Sequence, residues 1–203
     1  MDSNTRQSEQ KNKNKKFVIL VSGFILIIAA VSALLKYNSI QQEKAKRIAA
    51  DKKYVHAMHL FVSDGYKAGT KAEEMVKTLQ DVWHDAIFEA TYEIDGKIHA
   101  SGMDFNDAIQ AQYTSFEKNG DLSKLESHQA TLEADMDKLK NPPAKYKDIY
   151  QDIVDAYGSL KEFIEMADDP SGSLESFTDK ANELDSEVAK KLNAVDVQLP
   201  EEK

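Results

Sequence analysis

The stretch VHAMHLFVSDGYKAGTKAEEMVKTLQDVWHDAIFEA, Val55 to Ala90, decides the fold class. Its apolar or small positions run Val55, Met58, Val62, Gly65, Gly69, Ala72, Val76, Leu79, Trp83, Ile87 and Ala90. Steps of three and four residues are the period of one face of an α-helix. The pattern begins near Ile48, so the spacing predicts one long helix that stops at Glu93 to Met103, where Asp95-Gly96 and Ser101-Gly102 are turn-type pairs.

Three further helical stretches follow. Asp104 caps the first of them, which carries Phe105, Ile109, Phe116, Leu122, Leu125, Leu132, Met136 and Leu139 and ends at Asn141-Pro142-Pro143, with Asn119-Gly120 as a kink or brief break. The next has Tyr146, Ile149, Ile153, Tyr157, Leu160, Ile164 and Ala167 and closes at Asp169-Pro170-Ser171-Gly172. Ser173 caps the last, with Leu174, Phe177, Ala181, Leu184, Val188, Leu192 and Val195. Each helix has one apolar stripe and the connections are short, which predicts an all-α, elongated, antiparallel four-helix bundle over 55–197 followed by a polar tail, 198–203.

Ahead of the bundle, Phe17 to Leu35 are nineteen residues without a charge. At 1.5 Å per residue they make a helix of roughly 28 Å, enough to cross a hydrocarbon core of ~30 Å. The domain plan is then a basic tail (1–16), a transmembrane signal-anchor (17–35), a helical stalk (36–54) and the bundle. Arg6, Lys11, Lys13, Lys15 and Lys16 precede the span and Lys36, Lys44, Lys46 and Arg47 follow it. With the amino terminus added, this bias predicts a single-pass protein with a cytoplasmic N-terminus and an extracytoplasmic C-terminal domain. Val31-Ser32-Ala33 is also a signal-peptidase type site, but the apolar run is longer than that of a cleaved signal and continues beyond Ala33.

Charge narrows the partners. The chain carries −9, the first sixteen residues carry +3 and Lys36 adds one, which leaves −13 for 37–203. An acidic ectodomain is a poor match for nucleic acid or anionic lipid, which are bound by clustered Lys and Arg. With no cysteine, thiol chemistry and disulfides are excluded. No HExxH, GxSxG, phosphate-binding Gly loop or calcium loop occurs, so no catalytic, cofactor or metal residue is assigned. His56 and His59, at i and i+3, could form half a metal site, but no further ligands follow at a fitting spacing, and the reading is two partly exposed histidines.

The stretch KNPPAKYKDIYQDIVDAYGSLKEFIEMADDPSGSLESF, together with the Lys/Asn-rich tail and the single span, resembles uncharacterised single-pass membrane-anchored helical envelope proteins of low-GC Gram-positive bacteria. That resemblance implies an extracytoplasmic helical module and assigns no catalytic residues. Many such proteins are anchored by a lipidated cysteine, from which this chain departs. In architecture the ectodomain is also similar to chemoreceptor sensor bundles, without their second span and signalling region.

Two candidate sites remain. Gly65 and Gly69 occupy successive stripe positions, where glycine weakens a helix by roughly 1 kcal/mol each. Close helix approach is the favoured reading. The alternative is a ligand pocket lined by Tyr146, Tyr150 and Tyr157, as in a sensor subunit. Counting helix lengths brings the third helix only to about the level of Asp81, leaving Trp83, Ile87, Phe88, Tyr92, Phe105, Ile109 and Tyr113 on a two-helix tip. Either this tip is a surface for an envelope protein partner or a second copy, or the Glu93 to Met103 loop folds back over it, or a break at Asn119-Gly120 lets a short segment pack on it as a lid. The sequence therefore points to a non-catalytic extracytoplasmic binding module, with a sensor subunit and an envelope hydrolase as alternatives.

Overall fold

The computed structural model describes residues 3–102 and 104–202, with side chains from Val31 onward. The element order is α1 (Ser3–Phe88), β1 (Thr91–Ile94), β2 (Lys97–Ala100), α2 (Phe105–Asn119), α3 (Asp121–Leu139), a 3-10 turn (Ala144–Tyr146), α4 (Lys147–Asp168) and α5 (Leu174–Asp196). The chain divides into two compact units, Met1–Ala50 and Asp51–Lys203. In the first, the side chains from Val31 to Ala50 are all exposed. Most of the apolar run 17–35 lies outside the residues whose side chains are described. Among the described residues no helix is long and apolar enough to cross a membrane.

The second unit is an up-and-down bundle, and its long-range contacts give the direction of each helix. The Tyr54 hydroxyl donates to the Leu139 carbonyl at 3.0 Å, Lys71 pairs with Asp121, and the Trp83 ring stacks on Phe105. As one number rises the other falls, so α3 and α2 run back along α1. Tyr146, just before α4, stacks on Tyr54, and Tyr113 donates to the Ala167 carbonyl near the end of α4, so α4 runs along with α1 and antiparallel to α2. Gln198 with Asp152, Glu187 with Ser159 and Lys180 with Glu162 set α5 antiparallel to α4. The stripes meet in one core that includes Met58, Phe61, Met75, Leu79, Leu125, Leu132, Ile153, Leu160, Phe163, Leu184 and Leu192. Burying a side chain of this size stabilises by about 1.5–3 kcal/mol, and this is what holds the modest amphipathic helices of the bundle together.

The helix ends follow their local chemistry. Asp104 caps α2 by accepting from the Asn106 backbone N–H, and Ser173 with Ser176 forms a reciprocal capping box on α5. The second helical stretch is not continuous: Gly120 at φ 84 ends α2 and starts α3.

The all-α expectation needs one correction. Thr91–Ala100 is an antiparallel hairpin in which Thr91 faces Ala100, Tyr92 faces His99, Glu93 faces Ile98 and Ile94 faces Lys97. Asp95 (φ 51) and Gly96 (φ 73) make the two-residue turn with both residues left-handed, the geometry whose twist matches paired strands. Ile94 is buried in a second small cluster with Val82, Ala86 and Ala108, and Ser115 on α2 donates to the Asp95 carboxylate at 2.6 Å. The hairpin thus lies against α1 and α2.

Candidate functional site

At the end of the bundle away from Asp51, the residues expected on the tip separate into two groups. Trp83 is 4 % exposed, held between Phe105 at 5.7 Å and Phe177 at 5.6 Å between ring centroids. It belongs to the core, a correction that follows from α5 beginning level with it. Ile109 and Tyr113 are half-buried against the same core, and burial with the nearby Asp168 pushes the Tyr113 hydroxyl well above its ordinary range, keeping it a donor to Ala167. Tyr92 is half-buried on the hairpin face that carries Ile94, stacked on His99 at 5.3 Å.

The second group faces solvent. Phe88 is 67 % exposed and Ile87 42 %, at the last turn of α1, and Phe105 is 37 % exposed at the first turn of α2. Ile98 is 75 % exposed. Paired side chains share a strand face, so Ile98 and Glu93 point away from the side on which Ile94 is buried. Ile98 was not among the sequence candidates, although KIHA after Asp-Gly is the alternation that would have placed it. The charged residues of this end are mostly acidic, with Asp85, Glu89, Glu93 and Asp104 against Lys97. The arrangement can bury apolar area with a partner and select for a cationic rim; it offers no nucleophile with a base beside it.

The glycine site is filled. A Cβ on Gly65 would stand 2.9 Å from the Leu192 side chain and 3.2 Å from Leu160, and one on Gly69 would stand 3.4 Å from Val188. The two glycines let α1 approach α4 and α5, and no ligand space exists between them. The tyrosines expected to line a pocket are elsewhere. Tyr146 stacks on Tyr54 at 5.6 Å, where burial pushes the Tyr54 hydroxyl up to about 12. Tyr150 and Tyr157 are half-buried on the outer side of the same core, and Tyr157 is near Glu133 and Asp137 of α3.

His56 and His59 both contact the C-terminal tail. His56 Nδ1 is 2.9 Å from Glu202, His59 Nε2 is 2.9 Å from the Pro200 carbonyl, and Leu199 packs on the core between them. Among the described residues no group of three His, Asp or Glu side chains could hold a metal ion. No known protein family matches this chain, and neither a curated protein nor a solved structure matches it.

Proposed function

We propose that this chain is a membrane-anchored, extracytoplasmic interaction module of the cell envelope, which binds another protein through the end of its bundle. The observation that carries the reading is the set of exposed apolar side chains Ile87, Phe88, Ile98 and Phe105 at one end, among charges that are mostly acidic. Soluble surfaces rarely gather large apolar groups in this way without a binding role. Aromatic anchors inside a polar rim are the usual anatomy of an interface. The apolar run 17–35 and the basic residues before it support the membrane address and the orientation. The partner is a protein with an apolar centre and basic surroundings, or a second copy meeting the same apolar centre.

The reading is tested with Phe88→Ser and Ile98→Ser together. Partner capture from crosslinked membranes and self-association are both measured, with circular dichroism on the same sample. Helicity should stay unchanged while capture or self-association falls. Capture and self-association both at wild-type strength would refute the proposal, and a collapse of helicity would show that these side chains are part of the core.

A further inference from the structure

The bundle carries a second feature on its side, independent of the apolar end. Between α1 and α3 lies a cleft of about 430 Å³ lined by Tyr66, Lys67, Thr70, Lys71, Lys124 and His128, with Glu74 as its one carboxylate. In a region whose net charge is −13, this concentration of cations is unusual. The Lys71 side chain is only 9 % exposed and is fixed by Asp121 and by Glu74 at 3.4 Å. Lys67, itself exposed, pairs at i,i+3 with the partly buried Asp64 at 2.7 Å. Lys124 has no side-chain partner among the described residues. Lys124 is therefore free to turn inward, beside the Thr70 hydroxyl and the His128 imidazole, and Lys67 reaches the same space by exchanging Asp64 for a ligand.

His128 reports the local field. Burial first, then Lys124 and more weakly Lys67 and Lys71, hold its imidazole below the ordinary histidine range, with Asp64 opposing them. A proton on His128 is disfavoured first by burial and then by Lys124, and a bound anion would offset the second of these. The donor set also selects among anions. A planar carboxylate is best held by the fork of an arginine, and the cleft has none, whereas lysines act as point charges that suit a tetrahedral phosphate.

We propose that the α1–α3 cleft is a binding site for a phosphodiester oxyanion, with Lys67 and Lys124 as its mobile cations and Thr70 and His128 as hydrogen-bond donors. Lys71 stays with its carboxylates and contributes charge without direct contact.

The test follows the His128 ring resonance through a pH titration of the full chain in nonionic detergent, assigned with His128→Gln. Dimethyl phosphate is the probe, since its single charge does not change over the histidine range, and phosphatidylglycerol doped into the same micelles is a second arm. The His128 midpoint should rise saturably with the probe. Lys67→Met with Lys124→Met should weaken that response by about tenfold or more at an unchanged melting temperature. Thr70→Val, which keeps every charge, should also weaken it. A response to dimethyl phosphate places the ligand in solution, and a response only to the lipid places it on a headgroup. No response to either, or an equal one to sodium chloride at matched ionic strength, overturns the site.

Discussion

Three helical glycines, chemically identical, do different things. Gly158 on α4 has nothing within 4 Å of where its Cβ would be, so a methyl there meets only solvent. Gly158→Ala should stabilise by about 1 kcal/mol through helix propensity, which a domain of this size shows as a rise of roughly 2–4 °C in melting temperature. At Gly65 the same methyl would press on Leu192 and Leu160. Replacing both Gly65 and Gly69 by leucine should therefore overpack the core by about 1–3 kcal/mol per site, and a calorimetric melt should fall accordingly. An unchanged melt would mean that the helices stand farther apart than the contacts with Leu192 and Val188 require. The sequence made the glycine pair legible because it lies on the apolar stripe. It could not make Tyr146, Tyr150 and Tyr157 line the same place, since a position on α4 does not say which neighbour the ring meets. Tyr146 finds Tyr54, and Leu160 supplies the side chain that meets the glycines.

Among the elements, the four amphipathic helices were legible because each buries a face with its own period, and Asp104, Ser173 and Pro142-Pro143 mark their ends. The hairpin was not, although Asp95-Gly96 was recognised as a turn. Two four-residue strands have little stability alone and leave only a short alternation. What holds them is non-local: Ile94 on Val82, Ala86 and Ala108, and Ser115 on Asp95. No period in the sequence announces such contacts. Gly96 is the position where the turn demands a left-handed backbone, so Gly96→Val should cost at least about 1–2 kcal/mol of local stability. Ser115→Ala should loosen the same unit by removing the tie to α2. In both variants amide exchange should quicken across 91–100 while α4 and α5 keep their protection, and equal loss throughout would show that the hairpin and bundle unfold as one.

At the scale of the whole molecule, counting residues per helix carried the third helix only to about Asp81 and left Trp83 on the tip, whereas α5 begins level with Trp83 and Phe177 packs on its ring at 5.6 Å. The same count could not say whether the tip was bare, and the hairpin covers part of it. The membrane address rests on other grounds: a nineteen-residue run without charge, a basic tail of +3 before it and −13 after Lys36. The proposed orientation rests on charge, because lysines and arginines near a span resist translocation while an acidic domain does not. A protease added to intact, wall-stripped cells should then digest the chain at exposed sites between Tyr37 and Ala50, whose side chains are all accessible, and leave a membrane-bound fragment that ends near Lys36. The bundle should resist for longer, since cutting within it requires local opening of a buried core. Complete protection of the C-terminal domain would reverse the orientation. A mature N-terminus at Leu34 would instead show cleavage after Ala33, and the domain would then leave the membrane without its anchor, ending the membrane part of the proposed function while leaving the apolar end of the bundle to be judged on its own binding.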